Sequence, residues 1–139
     1  MNRRGFLRQM EAAAVAGTVG LPASGCIGFH YVNATIRSDR AVVRREAFGD
    51  QRYVLIDVPA LPLPLYVYRN DDGSYTTVST RCMHQGCQVE PVAGHLVCPC
   101  HGSEYTNDGT VLRGPTRLPL ERYHTELDGE DVVVHLVTA

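Results

Sequence analysis

The sequence lacks the features that mark several common classes of protein. It has no run of about 20 apolar residues, the length that a membrane-spanning helix needs. Its formal net charge is −2 and it contains no lysine, so no excess of basic residues suggests nucleic-acid binding. It also has no separate nucleophile with an accompanying acid–base pair, and we therefore expect no self-contained active site.

Helical periodicity is scarce beyond the N-terminus, whereas strand patterns recur. With 139 residues, 44% of them hydrophobic and 20% charged, the chain has the size and composition of one ordinary globular domain. Short apolar or alternating runs are separated by Gly, Pro, Asn and Asp, which is typical of strands and turns. The sequence therefore predicts an all-β fold of small antiparallel sheets. The predicted strands and hairpins occupy residues 32–37, 41–46, 53–58, 65–69, 75–80, 89–97, 121–127 and 131–137.

The N-terminus resembles an export signal. Arg3-Arg4-Gly5-Phe6-Leu7 is similar to the Arg-Arg-x-Phe-Leu pattern of twin-arginine signals, and a weakly apolar run follows at 10–20. Ala23-Ser24-Gly25-Cys26 loosely resembles a bacterial lipobox, whose cysteine is lipidated. We therefore expect a signal peptide at 1–25 and a mature periplasmic domain at 26–139, anchored to the membrane by a lipid on Cys26. The alternatives are that Cys26 is lost with an ordinary signal or kept in an uncleaved anchor.

Two short loops concentrate cysteine and histidine. The first reads Cys82-Met83-His84-Gln85-Gly86-Cys87, and the second reads Cys98-Pro99-Cys100-His101-Gly102-Ser103. Thiolates and imidazoles are both good ligands for iron and zinc. A Cys2His2 zinc site usually takes two cysteines from one half and two histidines from the other, whereas each loop here mixes the two types. That mixture favours a two-iron cluster over structural zinc or a disulfide scaffold, which remain as alternatives.

The two loops carry a family resemblance. Cys-x-His-x-Gly-Cys followed by Cys-Pro-Cys-His-Gly-Ser-x-Tyr resembles the signature of Rieske iron–sulfur proteins, and with Gly114-Pro115 the similarity covers roughly residues 80–120. The resemblance implies one [2Fe–2S] cluster per chain, in a lobe at about 80–117 that is inserted into a base domain. It also implies cluster ligands at four positions: Cys82 and Cys98 on the inner iron, and His84 and His101 on the outer iron.

The resemblance assigns roles to further residues of the loops. Cys87 and Cys100 would form a disulfide that holds the loops together, as in the high-potential branch of the family. The hydroxyls of Ser103 and Tyr105 match positions that donate hydrogen bonds to a bridging sulfide and to a ligand thiolate, which raises the reduction potential. Thr116 and Arg117 replace the Ala and Pro of quinol-oxidising members, so we expect a more open or more polar cover over the cluster. The remaining histidines are predicted to be structural or surface residues: His30, His95, His124 and His135.

The predicted function is electron transfer outside the cytoplasm. We expect an exported one-electron carrier that passes electrons between periplasmic or membrane redox partners, such as a cytochrome. The alternative is the iron–sulfur subunit of a multi-subunit oxidoreductase, either a quinol:cytochrome c reductase or an arsenite-oxidase-like molybdenum enzyme. Gln85 stands where the quinol-oxidising branch usually has Leu, which counts against the quinol version.

Overall fold

The computed structural model describes residues 28–137. This part of the chain forms twelve short strands and one 3₁₀ turn at Arg45–Phe48. All pairings among the named strands are antiparallel, which confirms the predicted all-β fold of small antiparallel sheets. The strands are β1 (Thr35–Arg37), β2 (Arg40–Arg44), β3 (Tyr53–Ile56), β4 (Leu65–Arg69), β5 (Tyr75–Ser79), β6 (Glu90–Val92), β7 (His95–Val97), β8 (Glu104–Tyr105), β9 (Val111–Arg113), β10 (Arg122–Tyr123), β11 (Thr125–Asp128) and β12 (Asp131–His135).

The expected export signal and its Cys26 lie outside the described residues. Between residues 28 and 137, no helix has the length and apolar character needed to cross a membrane.

The strands form three four-stranded sheets. The outer sheet has the order β1-β2-β12-β11, the middle sheet β10-β5-β4-β3, and the lobe sheet β6-β7-β8-β9. Strands β5 and β10 are neighbours in the middle sheet, where Arg122 pairs with Val78. The whole segment 80–121, including the lobe sheet and both Cys–His loops, is therefore inserted between two paired strands, as the predicted lobe in a base domain requires.

Both faces of the middle sheet are buried. Successive side chains of a strand point in opposite directions, so alternate residues of this sheet belong to different cores. One face packs against the outer sheet to form a first core, and the other packs against the lobe sheet to form a second core. Val54, Ile56, Leu65, Val67, Val43, Val132 and Val134 belong to the first core. Leu55, Tyr66, Val78, Leu96, Tyr105, Cys82 and Cys98 belong to the second. The second core therefore contains both cysteines that were predicted as cluster ligands.

The predicted hairpin at 89–97 is confirmed. It turns at Ala93 and Gly94, whose φ angles are +47° and +88°. Two residues of positive φ match the right-handed twist of the flanking strands β6 and β7.

Several predicted strands end earlier than expected, and one divides. The strand predicted at 41–46 stops at Arg44, because the 3₁₀ turn that follows buries Phe48 against Tyr75, with ring centroids 5.2 Å apart. The single strand predicted at 121–127 is wrong: His124 separates β10, which pairs with β5, from β11, which pairs with β12. The segment changes sheet at that point because its first half pairs with the distant β5, whereas its second half forms a hairpin with the next strand, β12.

Candidate metal centre

The two Cys–His loops have the same backbone hydrogen bonds. In the first loop the Cys82 N–H donates to the Cys87 carbonyl at 2.8 Å, and the Gly86 N–H donates to the Cys82 carbonyl at 2.8 Å. The second loop repeats both bonds, from Cys98 to the Ser103 carbonyl at 2.7 Å and from Gly102 to the Cys98 carbonyl at 2.9 Å. Each loop is thus a closed turn that begins at a buried cysteine.

A glycine at the fifth position makes each turn possible. Gly86 and Gly102 have φ angles of +75° and +77°, in the left-handed region. Residues with a Cβ atom rarely adopt this conformation, whereas glycine adopts it readily. Local sequence therefore determines the shape of both loops.

The sheets bring the two loops together. The first loop connects β5 to β6 and is closed by the Val89 N–H, which donates to the Thr80 carbonyl at 2.7 Å. The second loop connects β7 to β8, where Val97 pairs with Glu104. A disulfide between Cys87 and Cys100 joins the loops, as the resemblance implied. Sulfur atoms of this disulfide lie within 4.8 Å of the Cys98 sulfur.

Cys82 and Cys98 are the free cysteines of the described part, and both are buried in the second core, with 1% and 0% of their surface exposed. Their side chains are close enough to hydrogen-bond to each other. Two thiols of this kind, held side by side away from water, could bind one metal ion together.

Hydrogen bonds favour the ionised form of one of the two thiols, that of Cys82. Burial raises the pKa of Cys82, but hydrogen bonds from the Tyr105 hydroxyl and from the N–H groups of His84 and Gln85 outweigh it, so the net pKa shift is downward. For Cys98 burial prevails over the N–H groups of Cys100 and His101, and its pKa is raised. In both loops the backbone N–H groups two and three residues after the cysteine donate hydrogen bonds to its sulfur. Each sulfur therefore has donors that stabilise a thiolate.

The two histidines lie on the exposed side of the same loops. The ring centroids of His84 and His101 are 4.7 Å apart, and the rings are nearly perpendicular, at 84°. Both residues are exposed, whereas both thiols are buried. The four predicted ligands therefore form two pairs: a buried pair of sulfurs and an exposed pair of imidazoles.

The two predicted hydroxyl residues are buried beside the loops. The Tyr105 hydroxyl lies 3.2 Å from the Cys82 sulfur, and burial together with this contact raises the pKa of Tyr105 to about 12. Ser103 is fully buried, and its oxygen accepts a hydrogen bond from the Thr116 N–H at 3.2 Å. Thr116 itself is only 5% exposed. The segment around Thr116 is therefore held against the second loop by a backbone N–H. The type of residue at position 116 does not reveal this contact.

This donor set fits a mixed-ligand two-iron cluster. One iron could be held by the two buried sulfurs and the other by the two exposed imidazoles, which is the ligand division of a Rieske centre. The backbone N–H donors suit the negative charge of thiolates.

Comparison with known proteins identifies the class. The model of the Rieske [2Fe-2S] domain family matches residues 34–124, and the chain belongs to that family. It is a Rieske electron-transfer protein, and its cofactor is a [2Fe–2S] cluster.

Particular relatives share parts of the chain. The cytochrome b6-f complex iron-sulfur subunit of Chlorobaculum tepidum is 42% identical over 69 residues, which cover 48% of this chain and 38% of that protein. The chloroplastic subunit 1 of the same complex from Nicotiana tabacum is 39% identical over 74 residues, covering 50% and 32% respectively. The chain therefore matches less than two fifths of the length of these relatives.

A solved structure matches more of the chain. The plasma membrane Rieske protein PetC3 from the cyanobacterium Synechocystis PCC 6803 superposes with a TM-score of 0.59 at 30% identity. The superposition covers 72% of this chain and 98% of that one.

Proposed function

We propose that this protein is an exported one-electron carrier whose cluster is bound by four side chains of the two loops. Cys82 and Cys98 bind the inner iron, and His84 and His101 bind the outer iron. The observation that carries the proposal is the arrangement of two buried thiols behind two exposed, facing imidazoles. Bound there, a [2Fe–2S] cluster supplies one-electron redox chemistry.

The side chains around the site determine where electrons enter and leave. The buried sulfurs lie in the second core, which excludes water from the inner side. Because the two imidazoles are exposed, a partner protein can approach the outer iron closely, and the path for the electron is short. The Tyr105 and Ser103 hydroxyls donate hydrogen bonds to groups that become more negative on reduction, and so favour the reduced state.

The lobe also exposes apolar side chains that a partner can cover. Met83 is 45% exposed, and Leu112 and Leu118 are each 57% exposed. Met83 lies next to His84 in the first loop, so a redox partner that docks on the exposed histidines would cover it.

Export by the twin-arginine route is part of the proposal. The support is Arg3-Arg4-Gly5-Phe6-Leu7, together with a disulfide, which persists in oxidising compartments. A folded, cluster-loaded protein needs a route that carries folded cargo. Ala23-Ser24-Gly25-Cys26 supports a lipid anchor on Cys26 at the extracytoplasmic face of the membrane.

The second candidate function is that of a subunit in a membrane-bound quinol-oxidising complex. It is favoured by the relatives, which are named as iron–sulfur subunits of cytochrome b6-f complexes. In both versions the electron partner is a cytochrome or a membrane oxidoreductase.

Electron paramagnetic resonance of the reduced protein tests the ligand set. We expect a signal whose average g value lies below that of the free electron, and its loss in His84→Ala and His101→Ala. His95→Ala is the matched control, because His95 lies outside the loops, 3.7 Å from Glu104. Zinc in place of iron, or an unchanged signal in both ligand variants, would contradict the assignment.

Gentle solubilisation of membranes separates the two functional versions. A carrier elutes alone and exchanges electrons with a purified c-type cytochrome in stopped-flow measurements. A subunit elutes together with a b-type cytochrome. Co-elution would overturn the carrier version while leaving the cluster assignment intact.

The export proposal has its own test. Arg3→Lys with Arg4→Lys keeps the charge but removes the twin-arginine pattern, so we expect the protein to stay in the cytoplasm. Mass spectrometry of the mature N-terminus checks the lipid on Cys26. An unmodified terminus elsewhere would remove the lipid anchor and leave export standing.

A further inference from the structure

A second group of metal-ligand side chains lies on the outer sheet, away from its core face. His124 immediately precedes β11, and the His135 N–H on β12 donates to the His124 carbonyl at 2.9 Å. The next pair along the ladder is Thr125 with Val134, so His124 and His135 face each other across the two strands. Glu126 is two residues beyond His124 and therefore points to the same side of the sheet.

The backbone thus places three donor groups together. The His135 Nε2 lies 2.9 Å from the Glu126 Oε1, and the two imidazole centroids are 5.0 Å apart. One ligand atom from each of the three residues lies within 4.8 Å of the others. In a tetrahedral zinc site with bonds of about 2.1 Å, donor atoms are about 3.4 Å apart. Binding an ion would therefore require these atoms, now within 4.8 Å of one another, to move closer by at most about 1.4 Å.

The surroundings leave these groups free to bind an ion. The Glu126 side chain is 51% exposed and the His135 side chain 24% exposed, so water can reach a further coordination position. The cationic side chain of Arg40 lies near the Glu126 carboxylate. Arg40 pairs with His135 in the ladder, and its charge is offset by Asp39, 3.7 Å away.

We propose that His124, Glu126 and His135 form a binding site for a divalent transition metal, with zinc as the fitting ion. Two imidazoles and one carboxylate, with an open fourth position, are a common zinc ligand set. Magnesium and calcium prefer all-oxygen sites and fit poorly here. The bound ion would link β11 to β12 at the point where the chain changes sheet. This site is independent of the cluster ligands.

Zinc binding to the cluster-loaded, full-length protein tests the proposal. The proposed cluster occupies Cys82 and Cys98, and the disulfide occupies Cys87 and Cys100, so the loop cysteines do not compete for zinc. After equilibrium dialysis against zinc, we expect one zinc per chain with the iron content unchanged. His124→Gln and His135→Gln should weaken binding at least tenfold, and Glu126→Gln should weaken it less. The absorbance of the cluster shows that each variant is folded.

The chain provides a matched control. His95 also lies near a carboxylate, 3.7 Å from Glu104, on β7. His95→Gln should therefore keep full zinc binding. In thermal unfolding, zinc should raise the midpoint of the wild-type protein and of His95→Gln, but not that of His124→Gln.

Three outcomes would overturn the proposal. The first is no retained zinc, which would mean that the three residues form only an ion pair. The second is equal zinc binding by the wild-type protein and His124→Gln. The third is zinc uptake accompanied by loss of iron, which would place the ion in the Cys–His loops.

Discussion

The hydroxyl of Tyr105 lies 3.2 Å from the sulfur of Cys82, inside the second core. Tyr105 is fully buried, and burial together with the nearby sulfur raises its pKa to about 12. The hydroxyl therefore stays protonated at neutral pH. When the sulfur is a thiolate it has no proton to give, so the tyrosine is the donor. In the proposed cluster Cys82 gains negative charge on reduction, so this donor would stabilise the reduced state.

Removal of this donor should lower the reduction potential. If the bond is stronger in the reduced state by about 1.4 kcal/mol, Tyr105→Phe lowers the potential by roughly 59 mV for one electron. The double variant Tyr105→Phe with Ser103→Ala should lower it by on the order of 100 mV. Protein-film voltammetry measures both changes.

Tyr68→Phe is the control for this experiment. Tyr68 packs against the same core but stacks on Tyr66, with ring centroids 6.1 Å apart. Loss of the Tyr68 hydroxyl should leave the reduction potential unchanged. A potential that does not move in the Tyr105 and Ser103 double variant would refute the role of the hydroxyls.

Removal of the disulfide should weaken retention of the cluster. Cys87 and Cys100 are separated by 13 positions in the sequence. Closing a loop of that length by a disulfide stabilises a fold by about 3 kcal/mol in the chain-entropy model. The double variant Cys87→Ser with Cys100→Ser should therefore lose iron faster during mild heating, as visible absorbance records. Equal rates of loss, or two free thiols in the cluster-loaded wild-type protein, would contradict this role.

Gly109 lies between β8 and β9, where the lobe packs against Val78 of the middle sheet. A side chain at this position should destabilise the fold. The φ of Gly109 is +85°, and an added Cβ would lie 3.0 Å from side-chain atoms of both Leu120 and Val78. Overpacking of this kind costs about 1–3 kcal/mol. Gly129→Ala is the control, because Gly129 also has positive φ, +60°, but nothing lies within 4 Å of the added atom. Denaturant unfolding should show the larger loss for Gly109→Ala, and equal losses would refute the steric reason.

Asp108 should make the stability of the protein depend on pH. A hydrogen bond from Thr106 is the main cause that lowers its pKa, and Thr110 and Arg122 add to the effect. A carboxyl group with a lowered folded-state pKa stabilises the fold above its unfolded pKa, near 4, and this contribution disappears as the pH falls through the folded-state value. Because the side chain is 48% exposed, we expect Asp108→Asn to cost at most about 1 kcal/mol.

Urea unfolding of the wild-type protein and Asp108→Asn at several pH values checks this prediction. The difference in unfolding free energy should be the same at pH 7 and pH 5 and should shrink at pH 3. A difference that grows toward low pH would show that the carboxylate has the opposite effect.

Much of the site was predictable because its determinants are local. The Cys and His types at fixed spacing predict the ligand set, and a glycine at the fifth position of each loop allows its turn. The hairpin at 89–97 likewise follows from Ala93-Gly94 at its turn. Strands β8 and β9, of two and three residues, were not predicted because so short a segment shows no periodicity.

The sequence by itself determined the all-β class and the turns of the two loops, since these depend on neighbours within a few positions. Only the tertiary structure decided that Cys82 and Cys98 are buried while His84 and His101 are exposed. It also decided that the chain changes sheet at His124, since β10 pairs with the distant β5. These relationships arise from the pairing of strands far apart in sequence, such as β5 with β10. Such pairing depends on burial of both faces of the middle sheet, a property of the whole fold that no single segment carries.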